Sequence, residues 1–149
     1  MKLFFLHIFN KKDKDLRILI IIVVLIVFSC QSSEKRFEEQ YIWDSVNVTA
    51  TAYNSLAYQT NSNPNITAFG DSLKPGMNYI AVSRNLLYKG LKHNTPVKIE
   101  GLKGIYWVKD KMHSKWVNRI DIYMGIDVKA AKNWGKKRVC IEFGIPKTD

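Results

Sequence analysis

The strongest constraint on this chain is an apolar pattern of period two that comes in short pieces bounded by Gly, Pro or Asn. Val46, Val48, Ala50 and Ala52 alternate with Asn47, Thr49, Thr51 and Tyr53. Successive side chains of a strand point to opposite faces, so this alternation specifies a half-buried strand, whereas an amphipathic helix needs a period of about 3.6. Further short strands are expected at Tyr79–Val82, Pro96–Glu100, Ile105–Asp110, Arg119–Met124 and Arg138–Phe143. In Arg119–Met124, Ile120, Ile122 and Met124 share one face while Asp121 and Tyr123 share the other. Pro96–Glu100 and Ile105–Asp110 flank Gly101-Leu102-Lys103-Gly104, a hairpin loop with Gly at both ends.

One helix is expected, with Asp127 as N-cap, Val128, Ala130, Ala131 and Trp134 as its body and Gly135 as its stop. Ser83–Tyr88 suits another turn or two. Six short strands, one or two short helices and loops rich in Asn, Pro and Gly predict a mainly β fold, a small closed barrel with crossovers. No segment repeats at a fixed period, which excludes a propeller or a solenoid.

The N-terminal region has a different character. Ile18–Phe28 is an unbroken apolar run that follows Lys11, Lys12, Lys14 and Arg17. Eleven residues make a helix of about 17 Å, short of the roughly 30 Å hydrocarbon core of a bilayer. The run therefore reads as the apolar region of a signal peptide, with an uncleaved signal anchor as the alternative. Its end, Val27-Phe28-Ser29-Cys30, resembles the lipobox of bacterial lipoproteins, which implies lipidation of Cys30 and a membrane anchor there. The expected organisation is a signal peptide at 1–30, a flexible tether at 31–45 and a barrel domain at 46–149, lipid-anchored in a bacterial cell envelope, periplasmic or outer-membrane.

Charge and cysteine content narrow the function. The chain has 23 basic and 13 acidic residues, and from Gln31 onward 18 and 11 remain, a net charge of +7. Such a surface suits acidic envelope polymers, and the export signal argues against nucleic acid. Cys30 and Cys140 are too few for a disulfide scaffold or a cysteine metal centre. Cys140 fits as a small buried apolar residue in its strand. His7, His93 and His113 are isolated, so no metal site and no cofactor are expected, and a monomer is the simplest assembly.

The order of several short motifs adds a resemblance. Thr49-Ala50-Thr51-Ala52-Tyr53, Gln59-Thr60, Pro64, Ile66-Thr67-Ala68-Phe69-Gly70, Ile80-Ala81-Val82, Asp110, Arg119-Ile120-Asp121-Ile122-Tyr123 and Ala130–Gly135 follow one another. Together they resemble the 3D (Asp-Asp-Asp) domain, a double-psi β-barrel related to the catalytic domain of membrane-bound lytic transglycosylase A. The likeness covers roughly Val46–Phe143 and implies a six-stranded double-psi β-barrel. Asp110 and Asp121 match the second and third family aspartates and their spacing of eleven residues. Ser83 stands where the first is usual, and Lys111-Met112-His113 replaces the Gly-Gly that follows the second.

The resemblance implies cleavage of peptidoglycan glycan strands by a lytic transglycosylase with an Asp acid/base. Asp121 is the expected acid/base and Asp110 its catalytic companion. Thr49, Tyr53, Thr67, Ser83 and Tyr123 are candidate substrate contacts, and Trp107, Trp116 and Tyr123 could stack on sugar faces. Trp134 is expected in the core. The alternatives stay open: both aspartates as surface partners of Lys109, Lys111 and Arg119, and a barrel that binds peptidoglycan or an envelope partner without cutting it.

Overall fold

The computed structural model describes residues 16–23, 35–55 and 65–147. The lipobox with Cys30, and the Gln59-Thr60 and Pro64 motifs, lie outside the described residues. The chain divides into two compact units, Met1–Tyr41 and Ile42–Asp149.

In the first unit, residues 16–23 are helical and carry Leu16, Ile18, Leu19, Ile20, Ile21, Ile22 and Val23, all exposed. Among the described residues no helix is long and apolar enough to cross a membrane. Residues 35–38 form one more helical turn, and the Phe37 and Tyr41 rings lie 5.1 Å apart.

The second unit is mainly β. Its strands are β1 (Tyr41–Tyr53), β2 (Tyr79–Val82), β3 (Pro96–Ile99), β4 (Tyr106–Lys111), β5 (Arg119–Tyr123) and β6 (Lys137–Pro146). They close into a barrel in the order β1-β5-β2-β4-β3-β6. The pairs β1/β5 and β2/β4 are parallel, whereas β2/β5, β3/β4 and β3/β6 are antiparallel. Parallel partners cannot be joined by a tight hairpin, so the chain must cross over the barrel between them. Of two short helices, α1 (Arg84–Leu87) lies within the β2-to-β4 crossover, and α2 (Val128–Trp134) joins β5 to β6. The six-stranded closed barrel expected from the alternation is thus the observed fold.

Strand β1 starts at Tyr41, five residues before the apolar alternation begins and inside the stretch read as a tether. The ammonium of Lys98 lies 4.5 Å from the Trp43 ring centroid. Such a cation–π contact gives that extension something to hold to in a region whose sequence shows no apolar face.

The core is one cluster in which every strand takes part, including Val48, Ala50, Ile80, Val82, Leu86, Leu91, Val97, Val108, Ile120, Ile122, Ile141 and Phe143. Apart from Leu86 on α1 and Leu91 after it, these are apolar positions of the expected strands, so the pattern decides most of the inside of the barrel. Cys140 departs from the expectation: it is half-buried, because Val139, Ile141 and Phe143 take the inward face of β6 and leave it on the other. Trp134 packs against the core as expected, with its indole Nε1 buried and without a hydrogen-bond partner among the described residues.

Local signals explain the connections. The Asp127 side chain accepts a hydrogen bond from the Ala130 N–H at 2.9 Å, and Gly135 ends α2 with φ 66°. Asn118 adopts φ 49°, a left-handed conformation that Asn tolerates better than most residues, and its side chain accepts from Asn85 at 2.7 Å. That turn delivers the chain into β5. Phe143 is the largest fully buried side chain, and Phe143→Ala is expected to cost about 3–5 kcal/mol in denaturant unfolding.

Candidate functional site

The outer faces of four adjacent strands carry one transverse row of side chains. In the β1/β5 ladder Thr51 is opposite Asp121, in β2/β5 Asp121 is opposite Ala81, and in β2/β4 Ala81 is opposite Asp110. The row therefore reads Thr51, Asp121, Ala81, Asp110. With strands about 4.8 Å apart, the two aspartate backbones are about 10 Å from one another. Ala81 stands between them and raises only a methyl group.

Asp110 reaches this row through an irregularity. Tyr79 and Ile80 pair with Trp107 and Val108, but Ala81 pairs with Asp110, so Lys109 is passed over. By strict alternation Asp110 would share the inward face of the fully buried Val108. The extra residue turns it outward beside Asp121, the re-aiming of a side chain that β-bulges provide.

The resulting cleft has a volume of about 210 Å³ and is lined by Tyr53, Ala81, Asp110, Lys111, Met112, His113, Trp116 and Asp121. Burial pushes the Asp121 carboxyl above the ordinary carboxylate range. The Thr51 hydroxyl donates to Asp121 Oδ1 at 2.9 Å, the nearer of its two acceptors, and this bond and the Arg119 charge oppose the rise while Asp110 adds to it. Arg119 shares the strand face of Asp121, but its guanidinium lies on the Trp116 ring, 3.9 Å from the centroid.

Asp110 is held differently. Its Oδ1 accepts from the backbone N–H groups of Ala68 and Lys111 at 2.7 and 2.8 Å. Burial raises this carboxyl too, against those two bonds and the Lys111 charge. The Ala68 bond ties the 65–73 loop to the barrel. Asp71 ties it a second time, accepting from Lys109 Nζ at 2.8 Å and lying 2.6 Å from His93 Nε2. Burial pushes Asp71 up, but the bonds and charges of Lys109 and His93 outweigh it and hold the carboxyl below its usual range.

Tyr53 forms one wall. Burial, followed by the charges of Asp110 and Asp121 and the Tyr123 hydroxyl, pushes its phenol far above the ordinary range, so it stays a neutral hydroxyl. That hydroxyl is buried and has no hydrogen-bond partner among the described residues.

Of the sequence candidates, Asp110, Asp121 and Tyr53 meet in the cleft, together with Trp116. Tyr123 is buried behind Tyr53, with ring centroids 5.4 Å apart and its hydroxyl 2.8 Å from Ser55 Oγ. Thr49 is half-buried opposite Arg119, two pairs away from Thr51 along the ladder. Thr67 is buried, and its hydroxyl accepts from the N–H groups of Phe69 and Asp71, which shapes the loop. Ser83 is fully buried, donating to Asn85 at 2.8 Å and accepting from the Arg119 N–H at 3.0 Å. Thr49, Thr67, Ser83 and Tyr123 are therefore not among the cleft-lining residues. Trp107 is not among them either. Thr51 and Ala81 were not singled out from the sequence: Thr51 shares its strand face with Thr49 and Tyr53, and only the β1/β5 register selects it.

No protein-family model and no curated protein matches the chain. Among solved structures it is similar to the expansin of Clavibacter michiganensis, both in the apo form and as a mutant in complex with cellohexaose. Each is 19% identical, with a TM-score of 0.41, over 71% of this chain and 52% of the expansin chain. The chain thus spans about half the length of those structures.

The raised Asp121 carboxyl has a consequence for stability. A carboxyl with a folded-state pKa above its unfolded value of about 3.9 penalises the folded state once ionised. The penalty is absent below that value and complete once pH has passed the folded pKa. Asp121→Asn is therefore expected to raise Tm at neutral pH, by roughly 4–8 °C for each kcal/mol relieved. The gain should vanish near pH 3 in calorimetric scans.

Proposed function

We propose that this protein cleaves peptidoglycan glycan strands as a lytic transglycosylase, with Asp121 as acid/base. The observation that carries the proposal is the row in which Asp121 and Asp110 flank Ala81 on one open cleft. The motif order resembling the 3D domain supports the choice of substrate.

Lytic cleavage of the MurNAc–GlcNAc bond needs one carboxyl in two states. Protonated, Asp121 gives its proton to the glycosidic oxygen as the C–O bond breaks. Ionised, it takes the proton of the MurNAc C6 hydroxyl, whose oxygen attacks C1 and closes the 1,6-anhydro ring, so no water is consumed. A carboxyl raised by burial starts in the required acidic form over a wider pH range than an exposed one. Thr51 steadies the ionised form, and Asp110, fixed by two backbone N–H groups, holds the loop that borders the cleft. Tyr53 walls the cleft with a ring whose phenol stays neutral.

A barrel that binds glycan without cutting it is the second reading. It is favoured by Ser83, which brings no carboxylate and is buried in hydrogen bonds to Asn85 and Arg119.

Residues 31–149 incubated with sacculi should release 1,6-anhydro-muropeptides, detected by mass spectrometry. Asp121→Asn should lower their yield by about 10²–10⁴-fold. Binding without these products would establish the second reading, and reducing-end products would indicate hydrolysis instead. Thr51→Val removes a bond to the ionised form, so the carboxyl rises further and the alkaline limb of the pH–rate profile should move to higher pH. A limb that stays in place would remove Asp121 from the acid role.

A further inference from the structure

The barrel carries a second chemical feature away from the cleft. Between Asp127 and Glu142 there is no acidic residue, while Lys129, Lys132, Lys136, Lys137 and Arg138 are all exposed. Lys129 and Lys132 are three residues apart on α2 and so share a face, and α2 runs through Gly135 and Lys136 into β6, which opens with Lys137 and Arg138. Lys137 is seated on the Trp134 ring, with Nζ 3.6 Å from the centroid. Among the described residues Lys129, Lys132, Lys136 and Arg138 have no ion-pair partner. The two acids nearest in sequence do not neutralise them: Asp127 caps α2, and Glu142 pairs across the ladder with Lys98.

The position of this basic face gives it a direction. In the closed order, β3 and β6 lie across the barrel from β5 and β2, the strands that carry Asp121 and Ala81. A surface that holds the start of β6 therefore leaves the cleft facing away from it. The same chain contains, in residues 16–23, a helix whose exposed side chains are all apolar except Arg17 near its start. Exposed apolar side chains of that kind suit hydrocarbon rather than a soluble polyanion.

We propose that the basic face of α2 and the start of β6 docks on an anionic lipid surface and orients the cleft outward. Clustered cations near a surface of anionic headgroups add their attractions, and a single apolar or lipid anchor holds far better when such a patch supplements it. The inference does not depend on whether the cleft cuts glycan, and its test reads no cleavage.

Residues 31–149 contain every barrel strand and the whole core, so this segment folds without the apolar run and isolates the contribution of the basic face. It is sedimented with vesicles of phosphatidylcholine alone and of phosphatidylcholine mixed with phosphatidylglycerol. Binding is expected to be at least about tenfold stronger to the anionic vesicles, and to weaken on going from about 0.05 M to about 0.5 M salt. The triple substitution Lys129→Gln, Lys132→Gln, Lys136→Gln should abolish most of this preference, and the corresponding Lys→Arg triple should retain it. A control triple, Lys74→Gln, Lys89→Gln, Lys92→Gln, lowers net charge equally from other exposed positions and should leave most of the preference intact. Equal losses from the two Gln triples would overturn the proposal in favour of net charge alone. Equal binding to both vesicles, or binding to soluble polyglutamate but not to anionic vesicles, would overturn it as well.

Discussion

One skipped residue in the β2/β4 ladder determines what the outer surface of this barrel can do. Val108 and Asp110 have the same parity in β4, and without the irregularity at Lys109 both would point into the core. A lone carboxylate there would face only Val, Ile and Leu side chains, and its desolvation would cost several kcal/mol. The bulge removes that conflict and moves Asp110 into line with Ala81, Asp121 and Thr51. Lys109, the residue passed over, forms the ion pair with Asp71 that fastens the neighbouring loop.

Burial rather than mutual repulsion is the larger influence on both cleft carboxyls. The about 10 Å between their backbones is consistent with this, since like charges at that range interact weakly across a partly solvated cleft. Arg119 was the obvious threat to a raised Asp121, being two residues away on the same face. Its guanidinium is instead engaged by Trp116, and the opposition it still offers is smaller than the effect of burial.

The barrel was legible because alternation and fold coincide. Val48 and Ala50, Ile80 and Val82, Ile120 and Ile122 and Ile141 and Phe143 are inward pairs that the period of two marks directly. Asp127 and Gly135 delimited α2 for equally local reasons. The cleft was legible only in part. Asp110, Asp121 and Tyr53 were reachable through the motif resemblance, but Thr51 needs the register of a pairing between residues 70 positions apart, which local pattern does not carry. The hydroxyls of Ser83 and Thr67 are engaged in local hydrogen bonds, a role that looks in sequence like one of meeting a ligand. The early start of β1 was hidden because Trp43 is steadied by a lysine on another strand rather than by an apolar stripe.

The Tyr53 hydroxyl gives the cleft a further property. A buried donor without a partner costs the folded state about 1–3 kcal/mol. Its phenol cannot escape the cost by ionising, since two carboxylates and its own burial disfavour the anion. A ligand oxygen that reached it would cancel a cost the empty protein already carries. Part of the affinity at this wall would therefore come from relieving frustration in the fold, and an occupied barrel would resist unfolding more than its count of new contacts implies.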